Sequence, residues 1–443
     1  MTMNISEDAA VMPPSATCTE IPYVVTWVAL GAICHVPYKD KKDLVGLELN
    51  GELMTISMKD WQLAAKIHDE ISNCRDGNMM SGYEIMLWHQ MAATLVKKYV
   101  SEADKSVVML KDKGGAGYWR MILPAKHLDG TSKGSIRVDI TAAEAKFEYL
   151  LEYDTVFVQR VHDWESYYIL EKLKKAGKRI VYDIDDDLFS LTPDNPAFYV
   201  IGRDQQQAAA ACIRLADCVT TTTQFLARRL AQVTERRDIV VIPNALDTDD
   251  RWLPTDQTGS PDGYRRIFWQ GSATHGEDWG ECIGAVDEIM KKNDDVRLVI
   301  LGFLPEMLQE RVQWPEYKGR IEFVGFSTPE TYFEMAHHIR AEVGLAPLRR
   351  TNFNESKSPI KFVENAVIGI PTVASAMEPY SSVIEDKVNG RLAGDPAEWY
   401  KALDWYLTKD DAREKAVEAA RMTVSKRFDI KKVVKSWKDV LLP

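Results

Sequence analysis

The sequence predicts an α/β protein: two doubly wound parallel sheets in series, with an extra α/β extension ahead of them. Three observations predict it. From residue 101 onward, short runs rich in Val, Ile and aromatic residues alternate with amphipathic segments of helical period, the pattern of parallel sheets covered by helices. The alternation runs twice, and residues 250–263 (DRWLPTDQTGSPDG) interrupt it with a polar stretch rich in Pro and Gly that reads as a linker. The loops that carry glycine, serine or clustered charge come after strands, which is where open α/β sheets bind ligands. The resulting divisions are 1–100 for the extension, 101–249 for the first half, 264–427 for the second and 428–443 for a final helix.

In the extension, residues 1–20 read as a flexible lead. Tyr23–Ile33 and Leu47–Ile56 are strand-like, and Lys59–Ile71 and Tyr83–Tyr99 are helical. The second helical piece is rich in Met, Trp and Leu, a composition that points to core. No motif in this extension carries recognisable chemistry. Ile21–Pro37 is the most apolar run. It is short for a membrane span and bounded by prolines, so it reads as buried strand.

The first half opens with a strand at Val107–Leu110 and the stretch KDKGGAGYWRMILPAKHL. Gly114, Gly115 and Gly117 make a tight strand-to-helix turn, and Pro124 is expected to interrupt or kink the helix after that turn. Further strands lie at Thr155–Gln159, Arg179–Tyr182, Cys218–Thr221 and Ile239–Ile242, with helices at Trp164–Lys175, Gln205–Leu215 and Gln224–Val233 between them.

In the second half the strands are Arg266–Trp269, Val296–Leu301, Ile321–Val324 and Val343–Ala346, and the helices Cys282–Lys291 and Pro329–Ala336. The chain then reaches NFNESKSPIKFVENAVIGIPTVAS, Asn352–Ser375, which reads as loop, helix, Gly-Ile-Pro turn and short buried strand. Ser356 or Ser358 suits the N-cap and Pro359 the first turn. Lys357 and Lys361 stand at the entrance of this helix, and Glu364 one turn in. Free amides and partial positive charge at a helix N-terminus suit a phosphate, and two lysines strengthen that. From the residues alone, an ordinary solvated amphipathic helix fits as well. Trp399–Leu407, Ala412–Arg427 and Val433–Leu442 close the chain as helices, with a polar break at Phe428–Asp429.

Composition narrows the function. The 443 residues suffice for two or three domains, and 45% hydrophobic with 27% charged residues is ordinary for a soluble globular protein. A formal net charge of −11 disfavours a nucleic-acid coat but leaves room for a local basic groove. Cys18, Cys34, Cys74, Cys212, Cys218 and Cys282 form no CxxC pair and no zinc spacing, so free thiols in a reducing, cytoplasmic compartment are expected. The first residues have no signal-peptide pattern.

Several motifs together resemble the GT-B glycosyltransferases, in particular the retaining family 4 and its near relatives. In the second half these are FWQGSATHGED (Phe268–Asp278), VGLAPL (Val343–Leu348), the SKSPIKFVENAVIGIPTVAS block and YSSVIEDKVNGRL (Tyr380–Leu392). In the first half they are VYDIDDDLF (Val181–Phe189) and VIPNALD (Val241–Asp247). The resemblance spans roughly residues 105–440. It implies the GT-B fold, two Rossmann-like domains facing a cleft, with the last helix crossing back to the first. It also implies transfer of a sugar from a nucleotide diphosphate sugar, a UDP-sugar among them, to an acceptor hydroxyl with retention.

On that resemblance, Gly271 and Ser272 let backbone approach the donor diphosphate, Lys357, Ser358 and Lys361 face its charge, and Glu364 holds the ribose. The family's earlier glutamate, eight positions before, is replaced by Ser356, with Glu355 one position off. His275, with Asp278 three residues on, either orients against the sugar or caps a helix. Gly115, Gly117, Arg120 and His162 fall on the acceptor side; Arg120 reaches acceptor or donor phosphate or is a helix-surface residue, and His162 is an acceptor contact or a surface histidine. His127, His337 and His338 read as structural. Asp183, Asp185, Asp186 and Asp187 contain a D-x-D pattern, which elsewhere holds a divalent metal. Because the cluster ends a first-half strand, we assign it to the acceptor side or to fixing the loop, with Asp185 or Asp186 as a base toward the acceptor, and we expect no metal requirement.

Lys and Arg outnumber acids across Arg413–Lys438, and Arg228, Arg229, Arg236 and Arg237 form a second basic group, with Arg349 and Arg350 further on. These read either as solvated helix faces or as a surface for an anionic acceptor. The expected acceptor is a glycan or polysaccharide. A hydroxymethylated base in DNA, as in glycosyltransferases of some bacterial viruses, is the alternative within the same chemistry. A nonenzymatic nucleotide- or sugar-binding protein on the same scaffold, and a GT-B-like phosphorylase, are the alternatives outside it.

Overall fold

The computed structural model describes residues 33–35, 44–49, 52–57, 105–111, 115–128, 136–142, 147–248, 262–325 and 329–443. The readings for Tyr23–Ala32, Lys59–Ile71, Tyr83–Tyr99, Gly114 and most of the linker lie outside them. Two compact units divide the chain, residues 1–106 with 128–137 and residues 107–127 with 138–443. In the first unit, β1 (Ile33–His35), β2 (Leu44–Leu49) and β3 (Glu52–Ser57) form an antiparallel sheet in the order β1-β2-β3. The single strand read at Leu47–Ile56 is thus two strands, with Leu49 opposite Glu52. The dipeptide between them, Asn50-Gly51, is itself a strong hairpin signal.

The second unit contains both α/β halves. Its first sheet is built from β4 (Lys105–Lys111), β5 (Ile136–Ala142), β6 (Thr155–Gln159), β7 (Arg179–Ile184), β8 (Cys218–Thr221) and β9 (Ile239–Val241). The strand order is β5-β4-β6-β7-β8-β9, and β4, β6, β7, β8 and β9 run parallel. All five residues of β6, Thr-Val-Phe-Val-Gln, are buried, as expected for a parallel strand covered on both faces. Asp163 caps the helix α2 (Trp164–Lys175) by accepting from the Ser166 amide at 2.7 Å, and Gly177, at φ +80°, supplies the left-handed turn after it. Thr223 caps α4 (Gln224–Thr234) in the same way, and α3 (Arg203–Leu215) lies between them in sequence.

The helical run α1, residues 115–128, continues through Pro124. Its middle, Tyr118–Ile122, is a π turn, with the Leu123 amide donating to the Tyr118 carbonyl. Proline lacks an amide hydrogen and crowds the carbonyl one turn back, so the widened turn takes up the residue that was expected to break the helix.

The second sheet contains β10 (Arg265–Gly271), β11 (Val296–Gly302), β12 (Ile321–Val324), β13 (Val343–Ala346), β14 (Thr372–Ser375) and β15 (Arg391–Ala393). Its order is β12-β11-β10-β13-β14-β15, all parallel. Numbered from its own first strand this is 3-2-1-4-5-6, the Rossmann order, which places the switch point at the C-terminal ends of β10 and β13. Helix α5 (Ile283–Lys292) and α8 (Pro396–Thr408) pack one side around Trp269, Trp279 and Trp399. On the other side α6 (Pro329–His338), α7 (Ile360–Ile368) and α9 (Asp410–Arg427) share a core with Phe268, Phe362 and Val424.

The last helix, α10 (Ile430–Leu441), returns to the first half. Its Trp437 packs edge-on against Phe157 with ring centroids 5.8 Å apart, and the Leu441 carbonyl accepts from Thr155 Oγ1 at 3.0 Å.

Candidate active site

Strand β10 ends in Gln270-Gly271, directly at the switch point. A Cβ on Gly271 would lie 2.5 Å from the Trp269 ring, so only glycine lets the backbone pass over that indole. Gly271→Ala is therefore expected to displace the loop 272–276 and weaken nucleotide binding at least about tenfold while the sheet still folds, measured by titration calorimetry. Ser272 comes next, exposed, with its hydroxyl 2.9 Å from that of Thr274.

His275 Nδ1 lies 2.8 Å from Asp278 Oδ2. Asp278 Oδ1 in turn accepts from the Arg349 amide at 2.9 Å and from Asn354 Nδ2 at 2.7 Å. Burial, helped by the positive fields of Lys361 and Lys357, holds the His275 imidazole well below its ordinary range, and Asp186 opposes the shift. The ring is neutral at pH 7 and donates from Nδ1 to Asp278, which leaves Nε2 as an acceptor. The turns that carry His275 have no side-chain cap, so the ring is not a helix cap; Asp278 fixes its orientation.

Helix α7 begins at Ile360 with Pro359 at its N-cap position and no side-chain cap. The expectation that Ser356 or Ser358 caps it is corrected: Ser356, fully buried, donates to the Asn352 carbonyl at 2.7 Å and closes a separate short helical turn, Asn352–Glu355, capped by Thr351. Ser358 Oγ instead accepts from Asn244 Nδ2 at 3.3 Å, across the halves. The N-terminus of α7 is left with uncapped amides beside two lysines.

Lys361 is 5% exposed, with its Nζ 5.6 Å from the centroid of the Trp269 ring. Burial lowers its pKa from the usual 10.5 to about 8; Glu364 and Asp278 pull the other way and Lys357 adds to the drop. Lys357 Nζ sits 4.5 Å from the Phe353 ring and 3.9 Å from Asp186 Oδ1. One turn into α7, Glu364 accepts from Gln270 Nε2 at 3.2 Å and Tyr332 Oη at 3.4 Å, and burial raises its pKa against the pull of Lys361. Gln270, inside the FWQGSATHGED stretch, is the link that ties β10 to Glu364. Asn365 beneath it fills the space over Gly344, where a Cβ would come within 2.3 Å of its amide.

On the first half, the aspartate run divides in two. Asp183 is fully buried and receives Arg120 through a bidentate contact, Nη2–Oδ1 at 2.6 Å and Nε–Oδ2 at 3.1 Å, and Thr220 Oγ1 at 2.6 Å. Arg120 also lies over the Trp437 ring at 4.7 Å. Both the cleft-reaching and the helix-surface readings of Arg120 are therefore corrected: the side chain is entirely buried, and its guanidinium is committed to Asp183. Asp187 is likewise buried, paired with Arg229 and accepting from the Phe189 amide.

Asp185 and Asp186 are the two that are only partly buried, each 3.3 Å from Arg160. Burial lifts Asp185 to about 7, Arg160 opposes, and Asp186 and Asp183 add to the rise. Arg160, at φ +51°, is invisible in the sequence because nothing in QRVHDW marks a left-handed backbone. His162 Nδ1 lies 2.6 Å from the Arg160 carbonyl, half-buried. Gly115 is exposed with open space around it and Gly117 is buried in α1. Among the described residues, no group of three or more His, Cys, Asp or Glu is arranged to hold a metal ion, and no helix is long and apolar enough to cross a membrane.

The halves meet around this site through Lys357–Asp186, Asn244–Ser358, Thr223 Oγ1 on the Ser356 carbonyl at 3.0 Å, and Arg349 Nη2–Asp194 Oδ2 at 2.6 Å. Much of the basic surface read from sequence is used internally. Arg421 donates to the Ala366 and Val367 carbonyls, Arg427 to Ser382, Lys432 to Ser425, and Arg236 to Asp238 and Asp217.

Two sheets of these orders, with the charged loops of both at strand C-termini, make the GT-B fold. Solved structures agree on the fold. Anabaena Alr3699/HepE in complex with UDP and glucose superposes with a TM-score of 0.56 at 15% identity, covering 76% of this chain and 99% of that one. Sucrose-phosphate synthase from Thermosynechococcus elongatus gives 0.57 at 14%, covering 76% and 98%. A glycosyltransferase from Rickettsia africae gives 0.53 at 12%, covering 76% and 99%. No curated protein matches the sequence. Residues 265–409 match the family model of the group 1 glycosyl transferases. The chain has the GT-B fold, and its second half is similar to the group 1 glycosyl transferases.

Proposed function

We propose that this enzyme moves a sugar from a nucleotide diphosphate sugar, with a UDP-sugar as the donor, to a hydroxyl of a glycan acceptor with retention of configuration, in the cytoplasm and without a metal. The observation that carries the reading is the uncapped N-terminus of α7, with Lys357 and Lys361 beside it, at the switch point of the second sheet. An anion there meets free amides, a helix dipole and two ammonium groups. The departing nucleoside diphosphate gains negative charge in the transition state, and these fixed groups, together with the Ser358 region, stabilise it. The Gly271–Ser272 backbone covers the diphosphate, Glu364 accepts from the ribose hydroxyls, and the Nε2 face of His275 meets the sugar. Alr3699/HepE has been solved with UDP-glucose, which supports the donor class.

The test is a panel of nucleotide sugars offered with glycan acceptors in EDTA, with release of nucleoside diphosphate as the readout. Release from a UDP-sugar that rises when glycan is added is the expected result. Release that needs added divalent metal, or tight binding with no release for any acceptor, would overturn the reading.

A further inference from the structure

Asp278 is a buried carboxylate, 4% exposed, and among the described residues no Lys or Arg forms an ion pair with it. A charge placed there depends on hydrogen-bond donors. It has three: the Arg349 amide and Asn354 Nδ2 on Oδ1, and the His275 ring on Oδ2. Burial raises its pKa, and the Arg349 amide, the field of Lys357 and the Asn354 carboxamide hold it down. The backbone amide is there whatever residue stands at 349. The second donor to Oδ1 is there only because residue 354 is Asn.

Asn354 sits in a turn fixed from several sides. It is 5% exposed, Thr351 Oγ1 accepts from its amide at 3.1 Å, and its Nδ2 donates a second time, to the Arg349 carbonyl at 2.9 Å. Its carbonyl accepts from the Lys357 amide at 3.1 Å. Phe353 beside it, 6% exposed, belongs to the core of the first half, with Leu188 and Leu226. Arg349 Nη2 reaches Asp194 at 2.6 Å, and the Ser356 carbonyl accepts from Thr223 at 3.0 Å. The turn therefore belongs to the second half by chain order and is packed onto the first.

With Oδ1 filled by two N–H donors, Asp278 keeps Oδ2 for the ring. Nδ1 then carries the proton and Nε2 the lone pair. We propose that Asn354 is a positioning residue for sugar transfer: through Asp278 it fixes the tautomer and the angle of the His275 ring. This rests on the reading above that Nε2 of His275 meets the donor sugar. A sugar hydroxyl donating to a fixed lone pair is held in one orientation, which weighs on turnover rather than on binding of the nucleotide.

The experiment uses the full-length protein with UDP, and with UDP-glucose, UDP-galactose and UDP-N-acetylglucosamine as donor probes. UDP affinity is read by calorimetry, kcat and KM by release of UDP, and the His275 tautomer by the ring-nitrogen NMR shifts of labelled histidine. Asn354→Leu keeps the branched shape and removes the donor. It is expected to leave UDP affinity within about twofold, to lower kcat about ten- to hundredfold, and to move His275 away from the Nδ1–H tautomer. Asp278→Asn is expected to act in the same direction and further. Its Oδ1 still accepts from Asn354 and Arg349, its new amide group faces the ring, and the ring proton moves to Nε2. Unchanged kcat in Asn354→Leu overturns the proposal, and so does a lower kcat with the His275 tautomer unchanged. A loss of UDP affinity that accounts for the whole loss of turnover also overturns it, because it marks a merely structural role. If Asn354→Leu does not fold, Asp278→Asn decides: kcat kept with the proton on Nε2 overturns the proposal. A wild type that releases no UDP from any of the donors overturns the donor reading, and the positioning role with it.

Discussion

Lys361→Met is expected to make the ligand-free protein more stable and to cost it about 10- to 100-fold in affinity for UDP, the range that corresponds to losing one charge-assisted contact. The two effects share one cause. The ammonium is buried over Trp269, and among the described residues no hydrogen-bond acceptor reaches it. Removing its charge relieves desolvation in the ligand-free protein and removes attraction in the nucleotide complex.

The pH dependence gives the same answer with a definite sign. The folded pKa is about 8 and the ordinary value 10.5. Below 8 both folded and unfolded states carry the proton, and the full penalty, on the order of 3 kcal/mol, weighs on the fold. Between 8 and 10.5 the unfolded state binds more protons, so this group makes wild-type stability rise with pH. UDP affinity moves the other way, falling above pH 8 as the free enzyme loses the ammonium. In Lys361→Met both slopes flatten. Denaturant midpoints and UDP titrations at pH 7 and 9 read all four quantities. A variant that is less stable at pH 7 yet binds UDP normally would show that Lys361 is a packing residue.

Arg120→Leu is expected to cost about 3–5 kcal/mol, because it leaves the Asp183 carboxylate buried and without its partner. In a domain of marginal stability that is a large fraction of the whole. Thr220 still donates to Asp183, but a hydroxyl does not replace a bidentate guanidinium. Asp183→Leu in the same chain removes the stranded charge, so the double variant is expected to recover much of the loss. Urea unfolding of the two single variants and the double measures it. A single-variant loss under about 1 kcal/mol would mean that the pair is solvated rather than buried.

The alternation of strands and helices is legible in the sequence because parallel strands buried on both faces must be written as short apolar runs. Thr155–Gln159, Cys218–Thr221, Ile321–Val324 and Val343–Ala346 lie where the pattern puts them. Lys357, Lys361 and Glu364 stand out because a helix entrance has a local signature. The capping role expected of the serines fails because Ser356 and Ser358 find partners, the Asn352 carbonyl and Asn244, that sequence spacing around the helix does not reveal. Arg120 eludes the sequence for a stronger form of the same reason. Its partner lies 63 positions along the chain and its cover, Trp437, comes from the last helix. Arg160 carries no motif at all; what singles it out is its left-handed backbone and its pairing with Asp185 and Asp186, which only tertiary structure supplies.

The measurement that tests the central claim most directly is the thermal shift produced by UDP in EDTA, for the wild type and for a Lys357→Ala/Lys361→Met variant. A ligand that binds only the native state at about 100 times its Kd adds about 2.7 kcal/mol. The account predicts a clear rise in the wild type, unaffected by EDTA, and none in the folded double variant at the same UDP concentration. An equal rise in both proteins would place the nucleotide elsewhere, and a rise that appears only with divalent metal would contradict a donor site built from the α7 N-terminus and its two lysines.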